Sequence, residues 1–202
     1  MNLESGWEYM TKTAAVIPFA PGQEVYRDGM LSTLYYETKK MGRLEMTFCG
    51  DTPDHDTFIR MFDPSRKVLQ ILCDVDSEGG LLHPCGYSWV EMPKGVDGAR
   101  AAMCGFAFFK KTRNLRDLGI LGIAYWMRHL KIDVLHGVML KQNMPGIRYA
   151  SNLGFVVTAT VPKFHFLNGE LVDAVAVMLQ RKDFESAYNL WLEKKFGVAA
   201  AA

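Results

Sequence analysis

The sequence predicts an α/β protein, a single domain built on a mixed, mostly antiparallel sheet with helices on both faces. Three observations lead there. Three strand-like apolar runs, separated by turn residues, lie between positions 68 and 109, the pattern of an antiparallel meander. A strand, a helix and another strand then follow over 99–109, 114–130 and 134–140, a return that requires a crossover. Finally, Asn168-Gly169 between two β-rich runs is the strongest hairpin signal in the chain.

The elements are read in order. Residues 1–22 carry Pro18, Pro21 and Gly22 and are expected to form an extended arm or irregular lead-in. Residues 24–40 can form a helix, weakened at Gly29. Asp51-Thr52-Pro53-Asp54 starts a second helix, which runs to Phe62 and is ended by Asp63-Pro64. Strands are expected over 68–75, 81–92 and 99–109, with turns at 77–80 and 94–98. The third is apolar apart from Arg100 and therefore central, and Gly105 inside it marks a bulge or a close backbone approach. The helix over 114–130 is apolar almost all round and should be buried. Residues 134–140 form the next strand, and a short helix over 146–153 ends at Gly154. A hairpin of 156–166 with 170–179 follows, and an amphipathic helix over 182–196 closes the chain.

Composition narrows the function classes. The 202 residues are 49% apolar and 22% charged, as expected of one globular domain with a full core. A net charge of +1 argues against a general nucleic-acid binder. The apolar run 14–20 contains Pro18 and follows Glu4 and Glu8, so it reads neither as a signal peptide nor as a membrane span. The expected location is the cytoplasm, or a particle packaged from it. Cys49, Cys73, Cys85 and Cys104 contain no Cys-x-x-Cys pair, and His83 near Cys85 lacks further ligands, so no metal is expected.

The functional signal is concentrated in Asn143 to Phe155, Asn-Met-Pro-Gly-Ile-Arg-Tyr-Ala-Ser-Asn-Leu-Gly-Phe. A strand ends at the asparagine, a short helix follows, and Gly154-Phe155 closes it. This resembles the acyl-CoA-binding motif near the C-terminus of the GNAT N-acetyltransferases. The element order over 24–180 is also theirs, with 1–23 as an N-terminal arm and 181–202 as a C-terminal helix and tail outside the resemblance.

The resemblance implies an N-acetyltransferase that holds acetyl-CoA between the strands 99–109 and 134–140 and passes its acyl group to an amine. The acceptor would lie against the helices at 24–62 and the hairpin tip at 163–170. In the family a loop reading Arg/Gln-x-x-Gly-x-Gly/Ala cradles the pyrophosphate with backbone N–H groups. The matching segment here starts at Lys110 and Lys111. If Arg113 begins the motif, Arg116 and Leu118 stand at the glycine positions; if Arg116 begins it, Gly119 is recovered and Leu121 fills the second. The cofactor-binding candidates are therefore Lys111, Arg113, Asn114, Arg116, Leu118 and Gly119, with the basic side chains free to replace backbone contacts. Asn143 either bonds the CoA arm or caps its helix. Many family members protonate the departing thiolate with a tyrosine seven residues after that asparagine. Ala150 stands there, and Tyr149, one place earlier, is turned by about 100°. Tyr149 is thus either a displaced general acid or a core aromatic. Glu91 and Asp133 are the best-placed candidates for a general base.

A second class of function is compatible with these residues. The altered loop and Ala150 fit a catalytically silent GNAT-fold module, and an Asn-x-x-x-Ile-Arg-aromatic run, Asn143 to Tyr149, resembles GNAT-like proteins of podophage structural gene clusters. On that expectation the chain would be a virion or head–tail assembly component. Its partners would be neighbouring subunits, bound through the arm and the closing helix.

Overall fold

A computed structural model describes residues 9–19, 24–49, 53–63, 66–76, 80–91 and 100–197, with the side chains of 24–28 excepted. Seven strands form one sheet in the order β1-β2-β3-β4-β5-β7-β6. They are β1 Ala14–Pro18, β2 Lys67–Val75, β3 Leu82–Glu91, β4 Ala101–Phe108, β5 Val134–Leu140, β6 Val156–Leu167 and β7 Glu170–Gln180. Every neighbouring pair is antiparallel except β4 and β5. The α/β class, the mixed sheet and the hairpin are as the sequence predicts.

The helices cover both faces. On one lie α1 (Glu24–Lys40), α2 (Leu44–Thr47) and α3 (His55–Met61), closing a core of Leu31, Leu34, Phe58, Phe62 and Tyr87. On the other lie α4 (Leu115–Ala124), α5 (Met144–Asn152) and α6 (Arg181–Phe196), closing a core around Leu118, Ile123, Trp126, Leu135 and Phe184. The two-residue period of β2 sends Leu69, Ile71 and Cys73 to the first core and Leu72 to the second. α4 is buried continuously from Leu118 to Ala124, as its all-round apolarity requires.

Four local results differ from the sequence reading. Residues 14–18, expected to be irregular, are a strand. It pairs with β2 from Ala14↔Asp74 to Pro18↔Gln70, and Pro18 sits at its end on the sheet edge, where a missing N–H is tolerated. α3 is capped by Asp54, whose Oδ1 accepts the Thr57 N–H at 2.7 Å, whereas the proposed starts at 51 and 52 lie outside the described residues. The single helix expected over 114–130 is α4 followed by a π-helical turn, Tyr125–His129, closed by the Leu130 N–H on the Tyr125 carbonyl. α2 is too short to leave a periodic signal. The turn expected at 94–98, residues 77–79 of the other expected turn and the terminal alanines also fall outside the described residues.

At the β6–β7 tip Asn168 (φ 50°) and Gly169 (φ 87°) both take the left-handed region that a type I′ turn demands. Gly105 is not bulged, and the atoms nearest a Cβ there belong to a side chain. β3 and β4 pair in continuous register there, and a Cβ on Gly105 would stand 2.2 Å from the Trp89 ring.

Two thiols, Cys73 and Cys85, are buried strand residues, and a third, Cys104, is half-buried on β4. Burial pushes Cys73 up to about 11, and Cys85 and Cys104 up to about 12. A thiol that ionises near 9 when unfolded but resists ionisation when folded holds its stabilising effect below that pH and loses it as pH rises toward the folded value. The urea midpoint should therefore fall steadily from pH 9 to pH 11, and iodoacetamide at pH 8 should leave the buried Cys73 and Cys85 unmodified by mass spectrometry. Rapid labelling of the folded protein at Cys73 or Cys85 would contradict the burial.

Candidate active site

β4 and β5 run parallel but pair only over Ala101↔Val134, Ala102↔Leu135 and Met103↔His136. Beyond Met103 they part, while β3 continues along the other edge of β4 to Phe108 and β7 continues along β5 to Leu140. The two inner edges thus open into a wedge from Cys104 onward. Strand backbone without a ladder partner is an unmet hydrogen-bonding demand, and an extended, amide-bearing ligand can meet it. The Cys49 thiol already donates to one carbonyl of β5, that of Val138, at 3.0 Å.

The basic loop stands at the end of β4. Lys110, Lys111, Arg113 and Arg116 are exposed, and none is in an ion pair among the described residues. Asn114 occupies the cap position of α4 but makes no capping bond. Its Nδ2 donates to Asp74 Oδ1 (2.8 Å) and to the Thr13 carbonyl (2.9 Å). Thr112 Oγ1 donates to the same Asp74 oxygen at 2.6 Å and accepts the Asn114 N–H at 2.9 Å. The N–H groups of Leu115, Arg116 and Asp117 are left without a partner among the described residues, whereas that of Leu118 bonds the Asn114 carbonyl. The Leu118 side chain is sealed in the core, and Gly119 is where the Tyr149 hydroxyl approaches, 2.5 Å from a hypothetical Cβ.

α5 lies over the same region. Asn143 caps it through Oδ1, which accepts the Gly146 N–H at 3.1 Å, and its Nδ2 has no partner among the described residues. The Tyr149 ring meets Phe106 (5.7 Å) and Phe108 (5.4 Å) of β4 edge-on, and its hydroxyl donates to the Leu115 carbonyl at 3.0 Å. Burial raises this phenol above its ordinary range. Tyr149 therefore spans from the wedge to the first turn of α4, its hydroxyl donating to a backbone carbonyl.

The two candidate bases lie at the closed end of the wedge. Glu91 is opposite Met103, the last β4 residue paired to β5, and its carboxylate is held by Arg66 (2.6 Å) and Lys67 (3.8 Å). Asp133 precedes β5, accepts the Arg100 N–H at 3.0 Å and pairs with Arg181 at 3.0 Å.

Sequence reasoning passed over two anchors of this site. Asp74 holds the loop. Asp117, in the first turn of α4, accepts from Trp191 Nε1 at 2.8 Å and from Lys195, so α6 is tied to the base of the loop. The Thr-x-Asn spelling before a helix is a local signal for the first anchor; the second has none. Among the described residues no cluster of metal ligands occurs, and no helix is long and apolar enough to cross a membrane.

The fold recurs in solved structures. The chain is similar to spermidine N-acetyltransferase from Vibrio cholerae, solved in complex with CoA and spermine, with a TM-score of 0.65 and 11% identity over 87% of this chain and 99% of that one. A probable GNAT-family acetyltransferase from Chromobacterium violaceum gives 0.59 at 15% identity, covering 88% of this chain and 87% of that one. A GNAT-family acetyltransferase from Bacillus anthracis gives 0.58 at 11% identity, covering 84% and 96%. No protein-family model matches the chain, and neither does any curated protein sequence. The fold is that of the GNAT acetyltransferases; at these identities the likeness fixes architecture and leaves chemistry to the residues.

Proposed function

We propose that the chain is an acyl-CoA-dependent N-acyltransferase that acetylates an amine. The observation that carries this is the parting of β4 from β5 after Met103 beside an uncapped helix N-terminus ringed by four exposed cations. The donor set fits the parts of acetyl-CoA. The free N–H groups of residues 115–117 and the side chains of Lys111, Arg113 and Arg116 suit a pyrophosphate. The open edge of β4 and the Asn143 amide suit the amide-bearing arm. When bound, the thioester supplies an activated acyl group. The chain's own residues position it at the split of the strands, where backbone N–H groups polarise its carbonyl toward an incoming amine. Glu91, at the closed end, is the residue we assign to draw off the amine proton, through water. The tyrosine one place off register, Tyr149, is assigned to the departing thiol. It can serve only by releasing the Leu115 carbonyl.

That requirement favours a second reading, a GNAT-fold module without chemistry that binds neighbouring subunits in a phage particle. The two readings separate by calorimetric titration of the chain with acetyl-CoA and CoA. The first expects micromolar binding, weakened at least about tenfold in an Arg113→Ala/Arg116→Ala variant. No heat at millimolar ligand leaves the second reading.

A further inference from the structure

Asparagine is among the best N-cap residues, and at the head of α4 the fold forgoes its use. Asn114 has φ −98° and ψ 18°, outside the extended region that an N-cap adopts, and its side chain is turned back onto β2 and β1. One carboxylate oxygen makes this happen. Asp74 Oδ1 takes both the Asn114 amide and the Thr112 hydroxyl, and Thr112 in turn fixes the Asn114 N–H. Asp74 reaches the loop from its place on β2 opposite Ala14, the strand position next to the Thr13 carbonyl that takes the other Asn114 proton. The anchor therefore belongs to the sheet and holds the loop from outside it.

Resting on the cofactor reading above, we infer that Asp74 is a positioning residue for phosphate binding. By holding Asn114 and Thr112 it keeps the first turn of α4 uncapped, so that the N–H groups of residues 115–117 remain for a ligand's phosphates. Asp74 itself touches no phosphate; a carboxylate there would repel one. Its contribution is to stop the chain from satisfying its own helix end. Without it, Asn114 is free to swing to the extended conformation and accept from the helix end itself.

The test compares two ligands on three proteins. CoA carries phosphates, and pantetheine is the same arm without them. For Asp74→Ala, CoA affinity should fall about tenfold while pantetheine affinity stays within about twofold of the unsubstituted chain. Asp74→Asn, which keeps an acceptor oxygen, should restore most of the CoA affinity. Equal losses for both ligands would mean general distortion and overturn the inference, as would unchanged CoA binding in Asp74→Ala. If the unsubstituted chain binds neither ligand, the cofactor reading itself fails, and the positioning role with it. Should Asp74→Ala not fold, Thr112→Val removes one of the two loop bonds and is read the same way.

Discussion

A Gly105→Val protein is expected to lose about 3 kcal/mol or more of stability, read as a lower urea midpoint at unchanged slope. The Cβ alone would lie 2.2 Å from one ring atom of Trp89 and 2.5 Å from another. The ring has little freedom to retreat. It stacks on Phe48 (5.6 Å) and Tyr87 (5.8 Å) and meets Phe62 edge-on at 5.6 Å. Those neighbours are themselves locked through Phe58, which is fully buried. Relief must come from moving several aromatics together or from breaking the β3–β4 ladder. Truncating the ring tests the cause. Trp89→Ala is costly alone, but in the double variant Gly105→Val should add little further loss. Simple additivity of the two, or a single-variant midpoint close to that of the unsubstituted chain, would rule the explanation out.

Gln70→Ala is expected to cost about 2–4 kcal/mol, although it replaces a polar residue. Gln70 and Ser88 are wholly buried between β2, β3 and α4. Ser88 Oγ donates to Gln70 Oε1 at 2.8 Å, and Gln70 Nε2 reaches the Gly122 carbonyl at 3.4 Å. Removing the amide strands a buried hydroxyl and weakens the support of a helix carbonyl, besides leaving a cavity. Gly122 belongs to the same arrangement, since a Cβ there would stand 3.0 Å from Gln70 Oε1. The asymmetry between losing one partner and losing both gives the check. Gln70→Leu with Ser88→Ala should be more stable than Gln70→Leu alone. Were the pair instead to cost the sum of its members in thermal melts, the network would carry no such coupling.

The sequence made the outline of this fold readable because its outline is local. The meander, the Asn168-Gly169 turn and the buried α4 each follow from side-chain period and turn chemistry within a few residues. The strand at residues 14–18 was hidden because Ala14–Pro18 is short and ends in a breaker, and only its pairing with β2 makes it a strand. The wedge was hidden for a different reason. Residues 104–108 of β4 are as apolar as 101–103, and nothing in them says where a parallel partner stops. At the candidate site, Asn143 and the basic loop were visible as residue types at the right spacing. The reason Asn114 does not cap α4 lies at Asp74, far back in the chain, and side chains that meet across such separations leave no mark on local pattern.

The three-residue joint between β4 and β5 also divides the chain as it is synthesised. Residues up to 108 and residues from 134 onward contribute to opposite sides of that joint, and the chain crosses between them once, through the segment that carries the basic loop and α4. Each strand from β2 to β4 emerges beside a neighbour already made. β6 does not: its sole partner in the sheet, β7, leaves the ribosome after it. For that interval an apolar strand waits unpaired, and it is the one interrupted by Pro162 and two register shifts, features that make a strand a poor template for strangers.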